Sequence, residues 1–278
     1  MAIRETVQQE DAEWIKPYAA EVSKAFGADF SGARNRFRDS KRLLQRFTDA
    51  IGSVLANGLA ASFPEVDAAH NELCVATALL SNTALHFTNL EYEPVLADCT
   101  KSIDFRATAN DELIVFVDVK TIQPEPKDRW DQFEKALKQG WFPENVNVIL
   151  SKGGLGGELW HNMFAARCRM LEYTLELEAK IRAGKLADDK TIFILALCGE
   201  GFHWCRDQLE DFVTFYRSGA HRSDDPLSKA ELKDIADKKI TLDRTISRFA
   251  CMSRCQFGIR QRRLNWHVRP PSSSAFER

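Results

Sequence analysis

The chain has 278 residues and a formal net charge of −2, and 44% of its residues are hydrophobic. This composition allows one large domain or two small ones, and it excludes an overall basic coat for nucleic acid. Seven cysteines without a Cys-x-x-Cys pair argue against a secreted disulfide scaffold. The sequence shows no apolar signal-peptide core and no apolar run near the roughly 20 residues that cross a bilayer. We therefore expect a soluble cytoplasmic protein with no membrane partner.

Residues 1–59 are predicted to form a helical extension packed on the core. The first helix is predicted over 6–26 from apolar residues at three-to-four spacing. The apolar stripe of the second helix consists of Leu44, Phe47, Ile51, Val54 and Leu55. A basic segment leads into that helix and contains Arg34, Arg36, Arg38, Lys41, Arg42 and Arg46. Such a segment is either a solvated helix face or a surface that contacts nucleic-acid phosphates.

Residues 60–220 are expected to form an α/β core that begins with a third helix. Ser62 is its predicted N-cap and Pro64 lies in its first turn. Its predicted buried face consists of Val66, Ala69, Leu73, Ala76 and Leu80. Glu72 lies beside this face, from which it could lean over the end of a sheet. The alternative is an ordinary surface glutamate.

Three strands are predicted next, over 85–92 and within 102–121, where a polar turn at Asn110 and Asp111 separates the last two. Alternation in the third strand places Ile114, Phe116, Asp118 and Lys120 on one face, while the other face is entirely apolar. A strand that is apolar on both faces is typical of a buried position between layers. A buried charge must be paired or bind a metal. Asp104 in the preceding strand can lie across from Asp118 and Lys120, although a simple strand-end ion pair is the alternative.

The rest of the core is predicted as a short helix over 130–139, a short apolar run at 146–150, a helix over 159–182, a buried strand over 191–198 and a helix over 202–218. Residues 221–278 are expected to be a basic extension with a disordered tail from Pro270. Between Arg244 and Arg269 there are seven arginines and no acid, interleaved with apolar residues. This pattern indicates a nucleic-acid surface, a terminal strand pair, or both.

An Asp in one strand followed by Asp-x-Lys in the next resembles the PD-(D/E)XK nuclease superfamily. The matching segments are Ile103-Asp104-Phe105 and Val117-Asp118-Val119-Lys120-Thr121, with Ile103 where the proline of the family name would stand. Glu72 matches a glutamate that such families often carry on an upstream helix. The resemblance covers roughly residues 60–200. It implies an α/β fold with a restriction-endonuclease-like αβββαβ core, in which helices flank a central mixed sheet.

The resemblance also implies a metal-dependent nuclease that hydrolyses phosphodiester bonds. The expected ion is Mg²⁺, or Mn²⁺ in its place, held by Asp104, Asp118 and the Val119 carbonyl, with Glu72 on a metal water or a second ion. Lys120 would orient the attacking water or stabilise charge on the phosphate. The expected partner is nucleic acid, DNA rather than RNA, in restriction, defence or repair. Cutting both strands of a duplex would favour a homodimer. The alternative is a catalytically inactive nucleic-acid-binding or protein-interaction module on the same fold.

Two other kinds of site are weaker alternatives. The glycine-rich loop Gly153-Gly154-Leu155-Gly156-Gly157 could cradle a phosphate, but it matches neither common nucleotide-binding pattern. Otherwise it is a flexible connection that borders the substrate. Zinc binding would draw on Cys198, His203, Cys205, Cys251 and Cys255, whose spacings do not form a paired knuckle. Buried free cysteines are common and are the preferred explanation of these residues.

Overall fold

The computed structural model describes residues 2–57, 59–96, 102–109, 112–122, 159–199, 206–219, 239–253 and 263–267. The fold is of the α/β class. The elements in chain order are α1 (Ala2–Gly32), α2 (Ser40–Asn57), α3 (Leu59–Leu80), β1 (Phe87–Tyr92), β2 (Phe105–Ala109), β3 (Leu113–Ile122), α4 (Leu159–Ala183), β4 (Thr191–Gly199), α5 (Arg206–Ser218), β5 (Arg248–Ser253) and β6 (Arg263–His267).

The chain divides into two compact units. The first consists of Met1–Thr121, Ala179–Cys198 and Thr245–Arg278. The second consists of Ile122–Glu178 and Gly199–Arg244. The predicted site residues and all six strands belong to the first unit, apart from the final residues of β3 and β4.

The six strands form one sheet in the order β1-β2-β3-β4-β5-β6. Antiparallel pairing joins β1 to β2, β2 to β3, and β5 to β6. The Ile114 N–H near the start of β3 donates to the carbonyl of Lys190, directly before β4, at 3.0 Å. The two strands therefore start side by side, which indicates a parallel pair and a long crossover between them.

One face of the sheet is covered by α1, α2 and α3. Val115, Val117 and Val119 of β3 join the apolar residues of these helices in one buried cluster. The alternation predicted for β3 is confirmed, because the opposite face carries Phe116, which stacks on Phe193 of β4 at 5.6 Å between ring centroids. The fully buried Asp118 lies two residues further along this face.

The basic segment before α2 has one structural arginine. Arg36 donates from Nη1 to the Phe87 carbonyl at 3.2 Å, and its own carbonyl accepts the Leu90 N–H at 2.7 Å. The turn between α1 and α2 is thereby tied to β1. Arg42 and Arg46 instead keep about half of their side-chain surface exposed.

The basic C-terminal region contributes the last two strands of the sheet. Phe249 pairs with His267 and Cys251 with Asn265 across β5 and β6. Ser247 also donates its N–H to the Phe193 carbonyl of β4 at 2.9 Å. The interpretation of this region as a terminal strand pair is therefore confirmed, while its interpretation as a nucleic-acid surface stays a prediction.

Several boundaries and part of one buried stripe were predicted wrongly, although Phe47, Ile51 and Val54 of that stripe are buried as predicted. The first helix extends beyond 6–26 in both directions, and α3 begins at Leu59 rather than after a Ser62 cap, so that Pro64 lies inside the helix. In α2 the buried residues include Leu43, whereas Leu55 is 41% exposed. Leu43 and the predicted Leu44 are about 100° apart around the helix axis. A stripe that includes either leucine has a similar helical periodicity, so the sequence does not decide between them. The predictions for 110–111, 130–139, 146–150, 153–157 and 270–278 lie outside the described residues.

Candidate functional site

The strand register brings Asp104 and Asp118 together. Phe105 lies opposite Val117 in the antiparallel pair of β2 and β3. Continuing this register by one residue places Asp104, directly before β2, opposite Asp118. Residues that face each other across such a pair point to the same side of the sheet. Asp104 also bonds to the backbone of β3, because its Oδ2 accepts a hydrogen bond from the Val119 N–H at 2.6 Å.

Two lysines approach the buried carboxylate of Asp118. Lys180 donates from Nζ to Oδ1 at 2.6 Å, and its side chain is only 10% exposed. The Nζ of Lys120 lies 3.7 Å from Oδ2, beyond hydrogen-bonding distance, with a side chain 22% exposed. Oδ2 accepts no hydrogen bond from the part of the chain that the structure describes. The carboxylate therefore has one oxygen held by the protein and one oxygen left open.

Lys180 is the residue of this site that sequence reasoning missed. It lies in the last turn of α4, where a lysine is usually explained by the helix dipole. The sequence did hold one signal: Lys180 directly precedes Ile181, which follows Leu177 at the four-residue spacing of an apolar helix stripe. A lysine beside a buried stripe can reach inward with its long apolar stem.

Glu72 reaches the same end of the sheet from α3. It is 4% exposed, and its Oε2 accepts both the hydroxyl of Tyr92 at 2.7 Å and the Nε of Arg46 at 2.9 Å. Tyr92 ends β1 and Arg46 belongs to α2, so three elements meet at this carboxylate. The prediction that Glu72 lies at the edge of the buried face rather than outside it is consistent with this position.

A side-chain hydrogen bond fixes α3 against the end of β3. Asn71, which precedes Glu72, donates from Nδ2 to the hydroxyl of Thr121 at 2.8 Å. Thr121 in turn follows Lys120. This contact therefore sets the distance between the helix that carries Glu72 and the strand end that carries Lys120.

The electrostatics of the site are dominated by burial and by neighbouring carboxylates. Burial raises the pKa of Asp104 well above its ordinary value, and the charges of Asp118 and Glu72 raise it further. The hydrogen bond from the Val119 N–H and the charge of Lys180 lower the pKa in part. Burial also raises the pKa of Glu72, although Arg46 and Tyr92 oppose the shift. Burial raises the pKa of Tyr92, and the nearby charge of Glu72 adds to this, so its hydroxyl remains a donor. Protons and cations therefore compete for the same carboxylates.

Each of the three carboxylates has one oxygen that accepts from a protein donor. The second oxygen of Asp118, Oδ2, is buried and accepts no hydrogen bond from the described residues. As the side chains stand, no three His, Cys, Asp or Glu residues in the described part of the chain form a group that could hold a metal ion. Mg²⁺, however, takes only one or two carboxylates and keeps several waters. The donor chemistry suits such an ion, because Oδ2 of Asp118 is buried without a hydrogen bond from the described residues and Asp104 lies across from it.

The residues considered for zinc are only partly within the described ranges. Cys198 and Cys251 are buried and free of disulfides, as expected for ordinary core cysteines. His203, Cys205 and Cys255 lie outside the described residues, as does the glycine-rich loop at 153–157.

None of the described helices is long and apolar enough to cross a membrane. No protein-family model matches this chain, and no significant match was found among curated proteins or among solved structures.

Proposed function

We propose that this chain is a metal-dependent nuclease that hydrolyses phosphodiester bonds of nucleic acid, DNA in preference to RNA. The observation that carries the proposal is the pair of carboxylates at the end of β3. Asp118 is fully buried with an open oxygen, Asp104 lies across from it, and Lys120 lies on the same face. Lys180 pairs with only one oxygen of Asp118, so a bound cation would further stabilise the two neighbouring carboxylates.

The order of elements supports the finer fold assignment. The run α3, β1, β2, β3, α4, β4 has the helix–three strands–helix–strand order of a restriction-endonuclease-like core. The antiparallel β1-β2-β3 meander next to β4 is compatible with that core. We therefore propose this core within the α/β fold, with β5 and β6 extending its sheet.

Asp104, Asp118 and the carbonyl of Val119 would hold the Mg²⁺ or Mn²⁺ ion, and Glu72 would bind one of its waters. When bound, the ion supplies Lewis-acid activation of water and of the phosphoryl group. Lys180 pairs with Asp118 and fixes its Oδ1 through a hydrogen bond of 2.6 Å. The Val119 N–H fixes Oδ2 of Asp104 in the same way. The protein thus orients both carboxylates before any ligand arrives, which lowers the cost of binding.

Lys120 is the chain's own group for handling charge on the substrate. Its side chain is 22% exposed, while the Asp118 carboxylate beside it is fully buried. Its side chain is therefore the more accessible partner of this pair to an approaching phosphate. It can hold the attacking water in line or stabilise the negative charge that develops on the phosphate oxygens.

The test is incubation with plasmid, linear duplex, single-stranded DNA and RNA, each with Mg²⁺, Mn²⁺ or EDTA. We expect cleavage with either ion and none with EDTA. Asp118→Asn should abolish cleavage and leave binding intact, because the amide keeps the shape of the side chain but cannot bind the ion well. The control is Asp29→Asn, since Asp29 is exposed on α1. Cleavage by Asp118→Asn at the wild-type rate would refute the proposal.

A second candidate is a catalytically inactive nucleic-acid-binding or protein-interaction module on the same fold. The observation that favours it is the short contact of Lys180 with Asp118, because the ammonium group already neutralises that carboxylate. This candidate predicts binding without cleavage under every ion condition.

Light scattering on the same protein would test whether it is a homodimer, the state that cutting both strands of a duplex would favour.

A further inference from the structure

A cleft of about 700 Å³ opens beside the carboxylates, between α2, the first part of α3 and the end of β1. We name it the arginine cleft. Its charged and aromatic lining residues are Arg42, Arg46, Asp49, Glu65, Tyr92 and Glu93. A volume of this size is in the ordinary range for a ligand site. None of the roles given above uses the cleft itself.

The guanidinium group of Arg46 is fixed by Glu72 through Nε, and its side chain is partly exposed in the cleft. Its Nε contacts the buried Oε2 of Glu72 at 2.9 Å, while the side chain as a whole is 46% exposed. Its two terminal nitrogens make no hydrogen bond to the described residues. A guanidinium group fixed at Nε presents a planar pair of donors whose direction is already set. Glu72 therefore acts on the cleft as the residue that orients Arg46.

Arg42 supplies a second guanidinium group to the same cleft. It lies over the ring of Tyr92, with 5.1 Å from Cζ to the ring centroid. Its other contacts are weak: a 3.4 Å hydrogen bond to the Glu93 carbonyl and a 3.9 Å approach to the Glu93 carboxylate. With 51% of its side chain exposed, most of its donors are available to a ligand.

One residue that lines the arginine cleft, Glu93, is hydrogen-bonded to the backbone of Asp104. The Glu93 N–H donates to the carbonyl of Asp104 at 2.7 Å. Burial acts to lower the pKa of Arg46, but the charges of Glu72 and Asp104 are among those that raise it overall. Electrostatic contact therefore links the guanidinium group to the predicted site. A phosphate bound in the cleft would therefore lie near one held at the Asp104–Asp118 pair.

We propose that Arg42 and Arg46 bind a backbone phosphodiester adjacent to the bond that is cleaved, and that Glu72 positions Arg46 for this contact. The inference rests on the proposed function and names a substrate contact that it lacked. A phosphodiester has two non-bridging oxygens and a single negative charge, and each oxygen can accept charge-assisted hydrogen bonds from one guanidinium group. The carboxylates of Asp49, Glu65 and Glu93 disfavour more highly charged ligands such as nucleoside triphosphates.

The experiment measures binding of a fluorescein-labelled DNA duplex in EDTA at several salt concentrations, by fluorescence anisotropy. Arg42→Ala should weaken binding several-fold and lower the slope of log K against log salt by about one, because one phosphate contact is lost. Arg46→Lys should also weaken binding several-fold, since the lysine can pair with Glu72 but has no second donor pair. The matched control is Arg34→Ala, an exposed arginine of the same basic segment outside the cleft.

The role of Glu72 is tested by coupling rather than by loss of stability. Glu72→Gln should weaken binding in the wild-type background but have little further effect in Arg46→Lys, because both changes remove the same contact. Additive effects in this double-mutant cycle would overturn the positioning role.

The outcomes separate this inference from the proposed function. If wild-type protein binds the duplex but both cleft variants match Arg34→Ala, the inference is wrong and the nuclease proposal stands. If the slope falls as expected but no ion supports cleavage, the phosphate site stands and the nuclease proposal is wrong. Tighter binding of ATP than of the duplex would overturn the assignment to a phosphodiester.

Discussion

Lys180→Met should destabilise the protein because it leaves a buried carboxylate without its closest cation. Asp118 is fully buried and receives Nζ of Lys180 at 2.6 Å. Removing one partner of a buried ion pair costs about 3–5 kcal/mol, whereas methionine preserves most of the apolar stem. Lys120 stays 3.7 Å from the other oxygen and compensates in part. We therefore expect a loss of about 3 kcal/mol, at the lower end of that range.

The loss can be measured by urea unfolding at neutral pH without divalent ions. The control is Lys185→Met, since Lys185 is an exposed lysine just beyond α4. Asp118→Leu combined with Lys180→Met should recover most of the lost free energy, because a pair replaced by apolar residues leaves no uncompensated charge. A change smaller than about 0.5 kcal/mol in Lys180→Met, the usual range for surface substitutions, would refute the reasoning.

The same variant connects stability to the proposed ion. A divalent cation beside Asp118 would replace the missing positive charge, so Mg²⁺ should raise the unfolding midpoint of Lys180→Met more than that of the wild type. Equal shifts in the two proteins would indicate that the ion, if it binds, does so away from Asp118.

Three further outcomes are expected. The pKa of Asp104 is raised in the folded state by burial, by Asp118 and by Glu72, so its contribution to stability is largest below about pH 4 and is lost as the pH rises through the folded pKa. Asp104→Asn should therefore match the wild type in acid and become the more stable protein with increasing pH; a difference independent of pH in urea unfolding would contradict this. Tyr92→Phe should lower the free energy of unfolding by about 1.5–3 kcal/mol, since it removes a donor to the buried Glu72 carboxylate. Thermal unfolding would measure this loss, and an unchanged stability would mean that Arg46 alone satisfies that oxygen. Glu178→Gln should lower the free energy of unfolding by about 2 kcal/mol. The buried carboxylate accepts from Tyr216 and from the N–H groups of Asp243 and Arg244, and the single oxygen of an amide cannot accept all three. Hydrogen exchange at those two N–H groups should become faster, and unchanged exchange would refute this prediction.

Period-two alternation made the strands predictable. The sequence places Val115, Val117 and Val119 on one face and Asp118 on the other, and the structure has this arrangement. The alternation allowed Asp104 to lie across from Asp118 and Lys120, and the observed register, with Phe105 opposite Val117, pairs it with Asp118. Strand faces have only two choices, so a few residues decide between them.

Helix details were harder because their determinants are not local. Leu43 is buried and Leu55 is exposed in α2 because the rotation of the helix is set by the elements it packs on. Ser62 and Pro64 form a good start signal, yet α3 begins at Leu59, since tertiary packing overrides weak capping preferences. Lys180 could not be assigned to Asp118 because a contact between residues 62 positions apart leaves no trace in periodicity.

The charges around the site lead to different expectations for the binding of nucleic acid and for its cleavage. Three carboxylates and three cations of the described chain gather there: Asp104, Asp118, Glu72, Lys120, Lys180 and Arg46. When Asp104 takes up a proton, which its raised pKa favours, the balance becomes positive by one and attracts a phosphate without any metal. When a divalent ion displaces that proton, the site is positive by two and also gains a Lewis acid. Nucleic acid should therefore bind in EDTA and be cleaved only when the ion is added, and a protein that needs the ion for binding as well would show that the six groups do not act as one site.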